Sequence, residues 1–409
     1  MFSRFLPAAT ALAAMLPAFG SAAPFSLNQA LELAVQRSQS VRAAHAGASS
    51  AAEAARAAGQ LPDPMLSVGI DNLPVTGPDR LRTTADSMTM KRVGISQEWV
   101  SGEKRALRQA AAQAQVGRES ATGQAALSET RLQTTLAYLD AYYAGESFKL
   151  TTLTEHHVHE EAEAAKARLA SSGGSGQEVL QLTAARGLAQ DESADGHQLQ
   201  AAALGALQRG GGVRPVSLAA PVLPVIPGEQ AYVAPHPVVI QAQRDIEVAR
   251  AEASATAANR KPNWTWQASY GQRTGFSDMV SIGVSIPLPV SPGERQDRET
   301  AAKLALVEKA EASLEEASRM ATAEYRALSS DAQRLAQRAE RYRTGVVVTA
   351  QQRTQAALAG YRSNQIPLMT LFEARHAEVD TLRKHLNLQR DLAKVQAQLA
   401  FKPATGGAQ

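Results

Sequence analysis

The sequence predicts a mainly α-helical protein with a small β part, in which one unit of a strand hairpin and long helices occurs twice. Three observations predict this fold: an internal duplication, two proline-free helical stretches of about 70 residues each, and four short segments of alternating polarity. At about 1.5 Å per residue, each helical stretch could extend roughly 100 Å. Neither stretch would fit inside an ordinary globular domain.

The duplication is visible when the sequence is aligned with itself at an offset of about 190 residues. Residues 94–96 (Gly-Ile-Ser) match residues 283–285 (Gly-Val-Ser), and residues 101–105 (Ser-Gly-Glu-Lys-Arg) match residues 291–295 (Ser-Pro-Gly-Glu-Arg). In the second long stretch, apolar and small side chains recur every seven residues from Val307, which is typical of a coiled-coil seam.

The duplication predicts the following organisation of the chain. The first repeat covers residues 24–209, with a helix at 27–59, strands at about 65–72 and 91–100, a long helix at 103–169 and a return helix at 177–209. The second repeat covers residues 237–400, with a helix at 237–259, strands at about 263–271 and 279–288, a long helix at 294–362 and a return helix at 367–400. Residues 210–236 form a Pro/Gly-rich connector, and residues 401–409 form a flexible tail.

Residues 1–23 are predicted to be a secretory signal peptide. Arg4 precedes an apolar stretch at residues 5–19, and small residues at 20–23 provide a cleavage site. The mature protein is therefore expected to begin near Pro24 and to function outside the cytoplasm.

Composition argues against several classes of function. The formal net charge is only +3, and the 42 basic and 39 acidic residues are interspersed, so nucleic-acid binding is not expected. Cysteine is absent, which excludes disulfides and thiolate metal sites. No Ser-His-Asp arrangement, phosphate-binding glycine loop or catalytic carboxylate pair is apparent, so we expect neither an enzyme nor a bound cofactor.

The four alternating segments fit strands that have one lipid-facing side and one side facing a lumen. In the first repeat, Leu66, Val68 and Ile70 alternate with small or polar residues. The segments at 263–271 and 279–288 repeat the pattern with aromatic and branched side chains. A half-buried soluble sheet is the alternative that the strands alone leave open.

The chain resembles the TolC-type outer-membrane factors of tripartite efflux pumps over essentially the whole mature sequence. Residues 62–67 (Pro-Asp-Pro-Met-Leu-Ser), residues 94–98 (Gly-Ile-Ser-Gln-Glu) with residues 102–105 (Gly-Glu-Lys-Arg), and the duplication itself carry this resemblance. The first two motifs are similar to the branch that works with heavy-metal pumps of the resistance-nodulation-division class.

The resemblance implies a homotrimer in the Gram-negative outer membrane. Each protomer would contribute four strands to one lipid-embedded, 12-stranded β-barrel, and the long helices would continue it as an α-helical barrel across the periplasm. The partners would be a periplasmic adaptor protein and an inner-membrane pump of the resistance-nodulation-division class. The expected function is a passive exit duct for heavy-metal cations. A duct for drugs or for type I protein secretion, a periplasmic adaptor, and a coiled-coil scaffold are the alternatives.

The resemblance also implies where the gate and the docking sites lie. In this family, acidic residues line a periplasmic gate at the ends of the helix hairpins. Glu373 falls on one of these acids, Thr370 stands where the family often has a second, and Glu178 follows the first hairpin turn. An ordinary solvated or salt-bridged glutamate is the alternative for both glutamates.

Turn residues complete the candidate sites. The residues predicted to form the adaptor-docking tips are Gly173, Gly174, Gly176, Ser363, Asn364 and Pro367. Gly102 and Gly293 are predicted to let strands turn into helices.

A histidine-rich segment precedes the first hairpin tip. His156, His159 and Glu160 lie at helical spacings that share a face, and imidazole with carboxylate suits zinc or copper. A transient metal site is the hypothesis for this segment, and a solvated helix face is the alternative.

Overall fold

The computed structural model describes residues 24–171 and 173–404. The predicted signal peptide and the last five residues of the predicted tail lie outside the described residues. Within the described ranges, none of the helices combines the length and the apolar character needed to cross a membrane.

One antiparallel sheet contains all four predicted strands. The strands are β1 (Met65–Asp71), β2 (Met90–Trp99), β3 (Trp264–Gln272) and β4 (Met279–Ser285). Their order in the sheet is β1-β2-β3-β4, so β2 and β3 join the two repeats edge to edge. The strand predicted at 279–288 ends at Ser285 instead, because Pro287 and Pro289 lack the N–H group that a longer strand would use for pairing.

The first repeat begins with two helices, whereas one helix was predicted at 27–59. Helix α1 covers Leu27–Arg37 and α2 covers Gln39–Ala58. Ser38 between them has an extended backbone (φ −62°, ψ 118°), and its hydroxyl accepts a hydrogen bond from the N–H of Val41. A serine that caps a new helix in this way interrupts the preceding one.

Helix α3 (Gly102–Ala170) is the longest element, with 69 residues. It contacts α2, the return helix α4 (Gly176–Gly211), and two helices of the second repeat, α6 (Pro237–Ala257) and α9 (Leu368–Phe401). Helix α3 therefore connects the sheet to the far end of the molecule and packs against both repeats along the way.

The second long stretch consists of α7 (Gln296–Arg341), a π-helical segment (Tyr342–Val347) and α8 (Val348–Arg362). Its start differs from the predicted residue 294 because residues 292–295 form turns. The π segment contains Gly345, and π-helical turns of this kind occur in otherwise regular helices.

The connector contains a short helix, α5 (Glu229–Val233), that was not predicted. Its Tyr232 is fully buried, and the Tyr232 hydroxyl lies 3.3 Å from Oε2 of Glu324 on α7. Nε2 of His236 lies 3.3 Å from the same carboxylate oxygen, and Lys402 pairs with the other oxygen. This polar cluster fastens the connector and the chain end to α7.

Residues 401–404, which were predicted to belong to a flexible tail, contact the connector. Helix α9 extends to Phe401, and Pro403 is fully buried. The N–H of Ala404 donates a hydrogen bond to the carbonyl of Pro235 at 2.7 Å. This contact joins residues that are far apart in sequence, so local sequence patterns could not predict it.

Candidate functional site

The sheet has one apolar face. The strand register places Val93 of β2 between Val68 of β1 and Tyr270 of β3, and places Ile282 of β4 beside Ala268 of β3. The apolar residues of this face are Leu66, Val68, Ile70, Val93, Ile95, Trp99, Trp264, Trp266, Ala268, Tyr270, Val280, Ile282 and Val284. Val68 is 75% exposed and Ile282 is 82% exposed in the single chain. Lys91, Gln97 and Gln272 also lie on this face, which is otherwise apolar. A largely apolar exposed surface of this kind marks contact with a membrane or a partner.

The opposite face of the sheet is lined mainly by small and polar residues, with Met65, Met90 and Met279 at the strand ends. The small and polar residues include Ser67, Gly69, Gly94, Ser96, Thr265, Gln267, Ser269, Gly271, Ser281, Gly283 and Ser285. Arg92 and Asp71 on this face form an ion pair with each other at 3.0 Å. This face suits contact with water.

Aromatic rings cluster at the helix-facing end of the apolar face. Trp99 at the end of β2 lies opposite Trp264 at the start of β3, and Trp266 follows on the same face. Indole rings favour the boundary between hydrocarbon and water, so their position agrees with a membrane edge at this level.

The turn from sheet to helix is held by polar contacts between the repeats. The hydroxyl of Ser101 accepts a hydrogen bond from the N–H of Lys104, and thereby caps α3. The buried Lys104 ammonium donates to Oδ1 of Asn263 at 2.8 Å, and Nδ2 of Asn263 donates to Glu98 at 2.7 Å. These contacts join the end of β2 to the start of β3.

The structure places Gly102 at the first position of α3 and Gly293 in the turn before α7. Neither glycine has a positive φ, and a Cβ on either would meet nothing within 4 Å. Their assignment as strand-to-helix turns stays a prediction, and neither position needs glycine for steric reasons.

The first hairpin tip lies between α3 and α4. The hydroxyl of Ser175 accepts a hydrogen bond from the N–H of Glu178 at 3.1 Å and caps α4, which begins at Gly176. The N–H of Gly173 donates to the carbonyl of Arg168 at 2.9 Å. A Cβ on Gly174 would lie 2.9 Å from the backbone nitrogen of Leu169, so glycine permits a close backbone approach here.

We expect Gly174→Ala to destabilise the first tip by about 1–3 kcal/mol, because the new methyl group would push against backbone that cannot rotate away. Gly173→Ala is the matched control, since its Cβ would lie 3.7 Å from the nearest atom, the carbonyl oxygen of Arg168. Limited proteolysis of both variants measures the effect. Equal cleavage rates at the tip would contradict the prediction.

The second hairpin tip lies between α8 and α9. Asn364 adopts the left-handed conformation (φ 56°) that reverses the chain, and Pro367 precedes the first residue of α9. The Ser363 hydroxyl donates to the carbonyl of Ala359 at 3.1 Å. Asparagine tolerates this conformation better than most residues, which explains its place in the turn.

A buried cluster beneath the tips contains residues from all four tip helices. Its members are Ala162, Ala165, Leu182, Ala357, Leu368, Leu371 and Ala374. The alanines allow the helices to approach closely, because the distance between helix axes depends on side-chain size at the contact. The two tips therefore lie beside each other at one end of the molecule.

The three candidate gate residues differ in their surroundings. Glu373 on α9 is exposed, and Thr370 is half-buried. The Glu178 side chain is only 15% exposed, and its carboxylate lies 3.8 Å from Arg168 of the same chain. Glu178 thus has a partner within its own hairpin, whereas Glu373 presents its carboxylate to the surroundings.

Comparison with known proteins identifies the fold. No family model matches the sequence, and no curated protein matches it significantly. Among solved structures, the outer-membrane protein VceC from Vibrio cholerae aligns with a TM-score of 0.75 and 19% identity, covering 93% of this chain and 96% of VceC. The chain has the TolC-type outer-membrane channel fold.

Further solved structures support the TolC-type fold. The MtrE outer-membrane channel of Neisseria gonorrhoeae in its open state aligns with a TM-score of 0.77 and 16% identity, covering 92% of this chain and 88% of MtrE. CusC, described in connection with folding and transmembrane channel formation, aligns with a TM-score of 0.74 and 15% identity, covering 92% of this chain and 91% of CusC. The predicted fold class is confirmed.

Within this TolC-type fold, one buried ion pair was not predicted. Glu161 on α3 accepts a hydrogen bond from Nη1 of Arg375 on α9 at 2.6 Å, and the Glu161 side chain is only 5% exposed. Burial raises the pKa of Glu161, and the Arg375 guanidinium opposes that rise. The pair joins the first hairpin to the second near the tips. Residue spacing within a helix could not predict this contact, because Glu161 and Arg375 lie on different helices.

Of the three candidate residues in the histidine-rich segment, only His156 and Glu160 contact each other. Nε2 of His156 lies 3.3 Å from Glu160, and both side chains are more than half exposed. His159 does not join them, and the part of the chain that the structure describes contains no group of three histidine, aspartate or glutamate side chains able to hold a metal. The transient metal site and the solvated helix face both stay open as predictions for this segment.

Proposed function

We propose that this chain is one subunit of an outer-membrane exit channel. The observation that carries the proposal is the four-stranded sheet, which has one exposed apolar face with tryptophans at its end and one face of small polar residues. In water, such an apolar face would favour aggregation, whereas against lipid it would be stable. The polar face would then line a water-filled passage.

Three copies would complete the passage in this proposal. One chain contributes four strands, and β1 and β4 lie at the two edges of the sheet. Unpaired backbone groups at an edge are costly in hydrocarbon, so closure with further copies is required. A homotrimer with a 12-stranded β-barrel agrees with the TolC-type fold.

The long helices would continue the passage through the periplasm. Helix α3 alone, with 69 residues, spans about 100 Å. In this proposal the paired tips dock onto a periplasmic adaptor protein, and an inner-membrane pump of the resistance-nodulation-division class supplies the energy. The channel itself is passive and has no catalytic role.

Fractionation and conductance measurements test the channel function. The expected result is a protein that sediments with outer membranes and forms discrete conducting pores in planar bilayers. A soluble, non-conducting product would overturn the proposal and favour a periplasmic adaptor or a coiled-coil scaffold.

Heavy-metal cations are the proposed cargo, on the strength of the motifs at residues 62–67 and 94–98. Deletion of the gene should sensitise cells to cobalt, zinc, cadmium, copper or silver, measured beside a panel of dyes. Unchanged metal tolerance combined with dye hypersensitivity would favour a drug channel instead.

Glu373 is the proposed gate residue. We expect Glu373→Ala to raise single-channel conductance or basal leakage, because removal of a ring of three carboxylates alters the field at the constriction. Glu378→Ala is the control, since it removes a charge from a different side of α9. Conductance equal to that of the control variant would count against the role of Glu373.

A further inference from the structure

Within the described residues of one chain, the two edges of the sheet have no neighbouring strand. Strands β1 and β4 occupy these edges, while β2 and β3 pair with each other at the centre. The channel proposed above therefore needs β4 of one copy to pair with β1 of the next. The internal duplication indicates the register of that pairing, provided that the proposed function holds.

The internal duplication relates the two hairpins residue by residue. Leu66 lies opposite Ile95 in the first hairpin, and Trp266 lies opposite Val284 in the second. Ser67 opposite Gly94 likewise corresponds to Gln267 opposite Gly283. Corresponding residues of β1 and β3 differ in number by one constant, and corresponding residues of β2 and β4 differ by another constant. The two hairpins therefore have the same register.

The same correspondence can be applied to the pairing between the repeats. Ile95 of β2 lies opposite Ala268 of β3. Ile95 corresponds to Val284 of β4, and Ala268 corresponds to Val68 of β1. We infer that Val284 of one copy lies opposite Val68 of the neighbouring copy, so that the junction between subunits repeats the junction between the two halves of one chain.

The chemistry of the facing residues agrees with this register. It places Ile282 opposite Ile70 of the neighbouring copy, on the apolar face, and Ser285 opposite Ser67, on the polar face. It also places Gly283 opposite Gly69. A slip of one residue would bring the apolar residues of one copy onto the polar face of the next. A slip of two residues would preserve the faces, so an experiment must distinguish it.

The absence of cysteine from the sequence makes disulfide crosslinking a clean test. The variant Val68→Cys/Val284→Cys places two thiols directly opposite each other in the inferred register. Leu66→Cys/Val284→Cys and Ile70→Cys/Val284→Cys are matched controls that represent slips of two residues. Within one chain, β1 and β4 are about 14 Å apart, too far for a disulfide, so each bond must join two copies.

The expected result is a covalent ladder ending at the trimer for Val68→Cys/Val284→Cys after treatment with a membrane-permeant oxidant. The two control variants should form at least about 10-fold less of it, because diagonal positions exceed the usual Cα separation of a disulfide. Ser67→Cys/Ser285→Cys supplies a second inferred pair on the polar face, should the first variant fail to assemble. Stronger crosslinking of either control would overturn the inferred register.

Failure of the inference and failure of the proposed function give different results. Conducting oligomers that crosslink only in a shifted register, or in none of these registers, would overturn the inference and leave the channel intact. A monomeric, non-conducting product before oxidation would overturn the proposed function and the inference together. Conductance of each reduced variant shows that assembly survives the substitutions.

Discussion

Replacing Arg375 with methionine is expected to lower the free energy of unfolding by about 3–5 kcal/mol, because it leaves the carboxylate of Glu161 buried without a cation. The Glu161 side chain is 5% exposed, and its Oε2 already lacks a hydrogen-bond partner among the described residues. The low exposure of this carboxylate limits its solvation by water once the guanidinium is removed. Thermal and urea unfolding of the purified protein measure the change.

Arg383→Met is the matched control for this prediction. Arg383 also lies on α9 and reaches the first repeat, where it pairs with Glu192 on α4 at 3.3 Å. Both of these side chains are about one-third exposed, so their pair is worth at most about 1 kcal/mol. If Arg375→Met loses no more stability than Arg383→Met, the buried ion pair contributes no more to stability than the more exposed one.

The double variant Glu161→Met/Arg375→Met separates the charge effect from packing. Two apolar side chains of similar volume remove the unpaired carboxylate, and replacement of a buried ion pair in this way is often neutral or stabilising. We expect the double variant to regain most of the stability that Arg375→Met loses. A double variant as unstable as the single one would assign the loss to packing instead.

The pH dependence provides a further check on the same residue. Burial raises the pKa of Glu161, and loss of the Arg375 guanidinium removes the influence that opposes this rise. A group with a raised folded-state pKa gives stability that is present at low pH and lost as the pH rises through that pKa. The stability gap between Arg375→Met and the wild type should therefore shrink as the pH falls.

An arginine in place of Ile282 is expected to oppose assembly in lipid strongly. Ile282 lies near the middle of β4 on the apolar face and is 82% exposed in the single chain. A charge at the bilayer midplane costs about 2–4 kcal/mol per copy in a β-barrel. We expect a sharp fall in the amount of protein found in the outer membrane and in urea-resistant folding in lipid vesicles.

Ser281→Arg is the control, because Ser281 is the preceding residue and lies on the polar face. We expect it to assemble and to alter conductance or ion selectivity instead. Similar assembly defects in both variants would contradict the assignment of the two faces. Loss of assembly in Ser281→Arg alone would reverse it.

The elements of this protein were predictable because their signals are local. Alternating residues such as Leu66, Val68 and Ile70 predicted a strand, and the structure has β1 at Met65–Asp71. Absence of proline predicted the two long helical stretches. The predicted boundaries were wrong where single residues interrupt an element. Ser38 divides the predicted first helix, and Pro287 and Pro289 end β4 early.

The sequence did not predict the surroundings of the candidate site residues. Family resemblance pointed to Glu373, Thr370 and Glu178, and the structure shows that Glu178 has an ion-pair partner in Arg168. Nothing in the sequence pointed to the Glu161–Arg375 pair, whose members are 214 residues apart. Which glutamate lies on a buried seam depends on how α3 and α9 pack, and that is a tertiary property.

The sequence by itself determined the duplicated strand-and-helix unit, because periodicity and proline placement are properties of neighbouring residues. Only the tertiary structure decided that β2 pairs with β3, that the apolar residues of all four strands share one face of the sheet, and that Pro403 packs into the connector. Each of these contacts brings distant segments together. Their free energy comes from burial and pairing that exist only once the chain has folded.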